Sequence, residues 1–335
     1  MTPLVSVCIP TYNASRHLED CLNSVISQTL TDFEVLVVDN QSSDNTLEIV
    51  KSYAERDSRF RIIVNDQNIG AINNFNRCAE LAQGEWIKYV HADDLIEPHC
   101  LEKLISAKQS DSALVCCRRN FLFEPGVSEK TEKYYLDILS KRSIETLFPD
   151  SINISARSFC KATLENIGFN IVGEPVAVIL NRNAFYRYGV FNRHIVNKCD
   201  VELWTRVATH TGITHVPEVL ATHRVHSGSV TTGNTADRHY RKSKIDQLII
   251  LYEFVLNPIY APLRDVAKNY PTVNLQNLLA KSAHIARRIA EKDTSVMPQW
   301  EEIQKYYPAL SNISKLSFPQ KITHYTNRLG KSLEN

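Results

Sequence analysis

The chain opens as an alternation of short apolar runs and longer segments in which apolar residues return every three or four positions. Through residue 117 the short runs are VSVCI, FEVLVV, RIIV, WIKYV and ALVCC. Brief Val- and Ile-rich runs closed by polar turn residues predict strands. Between them lie SRHLEDCLNSVISQTL, TLEIVKSYAERD, AINNFNRCAELAQ and EPHCLEKLISAKQ, whose apolar spacing predicts helices. Pro98 suits the first turn of the fourth helix, and Ser43, Asp44 and Asn45 offer caps ahead of Thr46. Strands alternating with helices predict an α/β fold whose mostly parallel sheet is flanked by helices. Ligands of such sheets gather beyond the carboxyl ends of the strands. PTYN, DNQSSD, NDQNIG and HADD all fall there.

Beyond residue 117 the pattern changes. Residues 118–235 are rich in turns and hold IVGEPVAVILNRNAFYRYGVFN, a helical DVELWTRVATHTG and VPEVLATHRVHSGSVTTG. From residue 236 the periodicity is helical again, in YRKSKIDQLIILYEFVL (which begins slightly later), VNLQNLLAKSAHIARRIAEK and QWEEIQKYY, punctuated by Pro258, Pro271 and Pro308. The expected organisation is therefore 1–117, 118–235 and a helical C-terminal extension over 236–335. No internal repeat or low-complexity tract is visible.

Composition narrows the class without naming a function. Of 335 residues, 43% are apolar and 22% charged, as in a soluble protein with a sizeable core. A net charge of +1 is neutral on nucleic acid, and no aromatic stripe suggests base stacking, so no nucleic-acid partner is expected. Residues 236–335 carry 15 Lys and Arg against 9 Asp and Glu, which leaves the preceding part acidic. A basic helical tail suits peripheral contact with an anionic membrane or a lipid-linked acceptor; a solvated cap or a homodimer contact are the alternatives. Eight cysteines without a CxxC pair read as reduced thiols of a cytoplasmic protein. The start of the chain lacks the pattern of a signal peptide, and no run of eighteen apolar residues occurs.

The chemistry concentrates at the predicted strand ends. IPTYNAS follows the first strand where a dinucleotide fold needs glycines, and no GxxxxGK[ST] occurs, which argues against a nicotinamide enzyme and a P-loop NTPase. Asp39 ends FEVLVVD; its carboxylate either accepts hydrogen bonds from a base or ribose, or caps the helix near Thr46. Asp93 and Asp94 follow WIKYVHA. Adjacent carboxylates at a strand end suit a hard divalent cation, Mg²⁺ or Mn²⁺, unless they form a solvated turn.

VSVCIPTYNASRHLEDCLNSVISQTLTDFEVLVVDNQSSDNT resembles the opening of the family 2 glycosyltransferases, V-S-V-I-I-P-x-Y-N followed by V-V-D-D-x-S-x-D-x-T. The likeness continues through NIGAINNFNRCAELAQGEWIKYVHADD, which looks like the N-x-G and D-x-D-D segments. It resumes at EPVAVILNR, GVFN, DVELWTRVA and VPEVLATHRVHSGSVT, so that residues 4–232 are covered. The resemblance implies a GT-A fold and inverting transfer of a sugar from a nucleotide-diphosphate sugar, UDP-linked by expectation, to a hydroxyl. The acceptor implied is a glycan or a lipid-linked molecule in cell-surface polysaccharide synthesis.

Carried over position by position, the resemblance places Pro10, Thr11, Tyr12, Asp39, Asn68, Gly70, Asn76, His91, Ala92 and Asp93 at the nucleotide-sugar. Asp93 is the implied metal ligand, and His91 replaces the first Asp of D-x-D, where an imidazole either meets the ribose or joins the metal shell. Asp200 matches the carboxylate that deprotonates the acceptor, with Cys199 in place of the usual Glu and Glu202 as the fallback base. An N-cap for the following helix is the other reading of Asp200. Arg224 suits the diphosphate through its forked donors, and His226 completes the metal site or binds phosphate. Glu174 and Pro175 match a turn near the acceptor. His17, His99 and His210 read as surface or helix-packing residues. Two other functions remain open, a sugar-1-phosphate nucleotidyltransferase and a non-catalytic binder of nucleotide-sugar or glycan.

Overall fold

The computed structural model describes residues 2–109, 111–228 and 239–315. The chain divides into two units, Met1–Arg193 with Cys199–Thr232, and His194–Lys198 with Gly233–Asn335.

The first unit is built on a sheet of nine strands: β1 Val5–Thr11, β2 Phe33–Asp39, β3 Phe60–Val64, β4 Trp86–Tyr89, β5 Leu95–Ile96, β6 Leu114–Phe123, β7 Asn153–Ile154, β8 Val178–Asn181 and β9 Ile213–Val225. Their order is β3-β2-β1-β4-β8-β6-β9-β5, and β7 pairs with β9. The helices are α1 Ser15–Ile26, α2 Thr46–Ala54, α3 Ala71–Leu81, α4 Cys100–Ala107, α5 Glu129–Lys133, α6 Ile144–Leu147, α7 Ala156–Glu165, α8 Arg182–Tyr188 and α9 Cys199–Thr211. Pro98 lies just ahead of α4 and not in its first turn.

The central strands are continuous apolar runs because both faces are covered. All seven residues of β2 are buried, and Val5, Val7 and Ile9 of β1 are wholly so. α1 lays Leu18, Cys21, Leu22 and Val25 on the sheet, the three-and-four spacing that the sequence displayed. β1 runs parallel to β2 with Thr11 opposite Asp39, and parallel to β4 with Cys8 opposite Tyr89. Gly84 permits this pairing: a Cβ there would come within 2.4 Å of the Ser6 nitrogen. The expected parallel sheet holds from β3 through β4. Beyond it the sheet is mixed, since β8 runs antiparallel to both β4 and β6, while β6 and β9 form a long parallel pair. Residues 1–117 and 118–232 thus share one sheet.

The second unit is helical: α10 Asp246–Leu256, α11 Ala261–Lys268, α12 Leu275–Lys292 and α13 Met297–Tyr306. α12 buries Leu275, Leu279, Ala283, Ala286 and Ala290, and its small residues let neighbours approach closely. The Tyr240 hydroxyl donates to the Ala286 carbonyl at 2.9 Å. Buried Asp246 accepts the backbone N–H groups of Val196 and Asn197 at 3.1 and 2.6 Å. Among the described residues no helix is long and apolar enough to cross a membrane.

Candidate active site

The parallel register sets the ends of β1 and β2 side by side, and their loops lock together through side chains. The Thr11 hydroxyl donates to Asp39 Oδ2 at 2.9 Å, and Ser42 donates its N–H to Oδ1 at 2.8 Å and its hydroxyl to Oδ2 at 2.6 Å. Asp39 is wholly buried. Three of its roughly four acceptor positions are therefore taken by its own loop, and the carboxylate shapes the strand ends instead of standing open to solvent. Asn40, which sequence reasoning passed over, is the hub of the next loop. Its Oδ1 accepts from Asn65 Nδ2 and the Ile69 N–H, and its Nδ2 donates to Asn68 Oδ1 at 2.8 Å. Asn68 Oδ1 also receives the Gly70 N–H at 2.9 Å, and Gly70 adopts φ +83°, a conformation natural to glycine. Tyr12 is 53% exposed at the end of β1, next to half-buried Pro10.

Asn76 departs from its expected place at the nucleotide. Its carboxamide donates to the Phe191 carbonyl at 3.0 Å and accepts the Phe191 N–H at 2.9 Å, a reciprocal clamp that engages both ends of the amide.

The turn after β4 carries the carboxylates. Ala92 is buried in the core and anchors it. Asp93 Oδ2 lies 2.9 Å from His226 Nε2 at the end of β9. Asp94 is wholly buried, with Oδ1 accepting the Arg224 N–H at 3.0 Å and lying 2.9 Å from His223 Nδ1. The His91 ring stacks on Phe75 at 5.1 Å, and its Nδ1 is 3.6 Å from Asp94 Oδ2. Asp94 Oδ2 and His91 Nε2 are both buried without a hydrogen-bond partner. An unsatisfied buried carboxylate oxygen is costly, and His91, Asp93 and Asp94 bring one ligand atom each within 4.8 Å of one another. This mixed nitrogen and oxygen donor set fits a divalent cation. A second group with the same spacing joins His17, Glu124 and His226, although Glu124 also pairs with Arg16 at 2.9 Å.

Electrostatics follows from these neighbours. Burial works against ionisation of Asp93, but the His226 hydrogen bond and the surrounding imidazoles outweigh it and hold the carboxyl at about 2. Burial likewise opposes charge on His223, yet the Asp94 carboxylate, with Glu174 and Asp93 beyond it, lifts the ring to about 9.

Arg224 also sits differently from expectation. Its fork is not held open for a diphosphate: Nε donates to the Asp93 carbonyl at 3.0 Å, Nη2 to Asp20 at 3.0 Å, and Nη1 lies 3.6 Å from Glu124. The guanidinium braces the turn from β9.

Asp200 lies at the start of α9, one residue inside the helix, and so is not its N-cap. Buried, it accepts Asn170 Nδ2 at 2.8 Å on Oδ2 and the Val201 N–H at 2.8 Å on Oδ1. Asn170 in turn accepts the Gly173 N–H at 2.9 Å, and the Trp204 indole donates to the Gly173 carbonyl at 3.0 Å, which fixes the loop against α9. Glu174, next in that loop, binds Arg119 Nε ahead of buried Pro175. Burial raises the Asp200 carboxyl and the nearby charge of Glu174 raises it further, to about 7. Burial disfavours charge on Glu174 as well, but Arg119 and His223 hold it below the ordinary range. Glu174 is thus an electrostatic neighbour of both His223 and Asp200, and links the two sides of the site.

Glu202, the fallback base, has both carboxylate oxygens engaged by Arg206. It is buried in a bidentate pair with Arg206, with contacts of 3.0 and 2.8 Å, one turn along the same helix. Arg206 also donates to the carbonyls of Tyr188 and Val190. His223, Asn170 and the Glu202–Arg206 pair were all missed as site features. The (i, i+4) spacing of the pair was the one available signal.

The sequence profile described as glycosyl transferase family 2 matches residues 6–165. A curated relative, the uncharacterized protein MT1568 of Mycobacterium tuberculosis, is 29% identical over 259 residues, 77% of each chain. Several curated glycosyltransferases are 32% to 36% identical over about a third of this chain. Among solved structures, residues 1–349 of Staphylococcus aureus TarS, in complex with UDP-GlcNAc, superpose with a TM-score of 0.56 at 17% identity, covering 97% of this chain and 92% of that one. Against a longer TarS structure the match spans 43% of that chain. The mannosyltransferase PcManGT of Pyrobaculum calidifontis, in complex with GDP-Man and Mn²⁺, gives a TM-score of 0.55 at 16% identity over 100% of this chain and 87% of that one. The fold is of the GT-A type.

Proposed function

We propose, from the match of residues 6–165 to the profile of glycosyl transferase family 2, that this chain transfers a sugar, with inversion, from a nucleotide-diphosphate sugar to a hydroxyl of a glycan or lipid-linked acceptor. The observation that carries this reading is Asp200: a buried carboxylate, oriented by Asn170 and the Val201 N–H, whose carboxyl is pushed up to about 7. A general base is most effective when its pKa lies near the working pH.

In the proposed reaction the acceptor oxygen forms a bond to the anomeric carbon as the bond from that carbon to the diphosphate oxygen breaks. The hydroxyl proton passes to Asp200, and the bonding pair leaves with the diphosphate. One displacement inverts the anomeric centre. Glu174, paired with Arg119 beside Asp200, favours proton uptake there by its negative charge. On the donor side, exposed Tyr12 offers a ring face to the base, while Asp39 and Asn68 hold the loops that receive it. A divalent cation held by His91, Asp93 and Asp94, with His226 against Asp93, would stabilise charge on a departing diphosphate. Arg224 keeps the Asp93 turn in place and is no longer assigned to the phosphates.

We take the nucleotide to be uridine, and a TarS complex with UDP-GlcNAc supports starting there. A role in cell-surface polysaccharide synthesis, a cytoplasmic location and peripheral membrane contact through the basic C-terminal helices extend the same proposal. The test is a panel of UDP-, GDP- and dTDP-sugars assayed for hydrolysis with Mn²⁺, Mg²⁺ or chelator. Hydrolysis of at least one UDP-sugar is expected; release of pyrophosphate from a nucleoside triphosphate and sugar-1-phosphate instead would identify a nucleotidyltransferase.

A further inference from the structure

α1, β6 and β9 meet in a cluster that the reaction above leaves without a role. β6 and β9 run parallel with Phe123 opposite Val225, so the next residues, Glu124 and His226, leave the sheet side by side. The Glu124 N–H donates to the Val225 carbonyl at 3.0 Å, which carries the pairing one step beyond β6. His17, in the first turn of α1, comes to the same place. Its Nε2 lies 3.1 Å from Glu124 Oε1, and its ring meets the His226 ring edge-on with centroids 5.1 Å apart.

His17 is left unsatisfied there. Its Nε2 is buried yet makes no hydrogen bond, because the contact with Glu124 lacks the direction of one. A buried polar atom without a partner is costly. His17, Glu124 and His226 each bring one ligand atom within 4.8 Å of the other two. A cation among them would satisfy the imidazole and the carboxylate together. Two guanidiniums also face Glu124, Arg16 Nη2 at 2.9 Å and Arg224 Nη1 at 3.6 Å. Arg224 is committed to the Asp93 carbonyl and to Asp20. The Arg16 side chain is 71% exposed, so it can leave Glu124 for water at little cost.

We propose that His17, Glu124 and His226 form a second cation site, separate from the group of His91, Asp93 and Asp94 and selective for Zn²⁺. Two imidazoles and a carboxylate are a set that zinc takes while keeping a fourth position open. Imidazole donors favour zinc over Mg²⁺ and Mn²⁺, whereas the carboxylate-rich group suits the harder cations. The two groups meet where His226 Nε2 lies 2.9 Å from Asp93 Oδ2. The zinc site does not depend on which reaction the chain catalyses.

The test sets the full chain against a chromophoric zinc chelator in excess Mg²⁺, with zinc K-edge absorption spectra of the loaded protein. Wild type is expected to hold Zn²⁺ with two imidazoles among its ligands. His17→Ala should weaken binding at least about tenfold and leave one imidazole. Glu124→Gln should weaken it by a similar factor with both imidazoles kept. Arg16→Ala, which releases Glu124 from its ion pair, should bind up to about fivefold tighter, a gain that a purely structural role for the cluster would not produce. His91→Ala should stay within about twofold of wild type. No Zn²⁺ held by wild type, unchanged binding in His17→Ala, or equal loss in His91→Ala overturns the site.

Discussion

The turn that carries Asp93 and the loop-to-helix junction that carries Asp200 hold carboxylates in opposite environments. Asp93 is ringed by His91, His223 and His226, which keep it ionised to about pH 2. Asp200 has lost water and gained a carboxylate neighbour, so it ionises only near pH 7. Two identical functional groups thereby become suited to different tasks, one to hold a cation and the other to accept a proton. The difference comes from the side chains delivered by β9 and by residues 170–174, and not from the carboxylates themselves.

Asp200→Asn removes the proton acceptor while keeping the shape, and should lower kcat by about 10² to 10⁴; steady-state transfer measures it. Asp93→Asn should weaken metal-dependent nucleotide binding by about 10- to 100-fold, read by titration calorimetry with and without chelator. A third carboxylate, Glu202, serves as the control, since it lies two residues from Asp200 but pairs with Arg206. Glu202→Gln should cost about 3 kcal/mol of stability by leaving a buried guanidinium short of its partner, seen in urea unfolding, with turnover per folded molecule little changed.

The raised Asp200 carboxyl also makes stability depend on pH. The folded-state pKa of Asp200, about 7, lies above the unfolded value of about 4. Its contribution to stability is therefore complete below about pH 4 and lost as pH rises through about 7. Asp200→Asn should consequently gain more thermal stability relative to wild type at pH 8 than at pH 5, and least at pH 4.

The sheet edge formed by β1 to β4 was far more legible in the sequence than the part of the site beyond residue 117. Strands β1 to β4 alternate with helices, so hydrophobic period alone placed Thr11, Asp39, Asn68 and the His91–Asp94 turn at one edge of the sheet. What the pattern does not carry is the partner each side chain finds. Asp39 is turned inward by Ser42, Asn76 is taken by the Phe191 backbone, and Arg224 by Asp93, Asp20 and Glu124. Beyond residue 117 the strands pair out of chain order, as β8 does between β4 and β6. That hides the contact between His223 and Asp94, 129 residues apart in the chain. Asp200 itself was found through the family pattern; its helix was visible, but Asn170 and Glu174, which set its chemistry, lie in a loop without period.

The division of labour between the two carboxylates is tested most directly by calorimetric titration of UDP with Mn²⁺ into wild type, Asp200→Asn and Asp93→Asn. Asp200→Asn should bind within about twofold of wild type while its transfer falls by about 10² to 10⁴, and Asp93→Asn should lose the Mn²⁺-dependent part of the affinity. Equal loss of UDP binding in both variants, or wild-type binding in Asp93→Asn, would contradict the account.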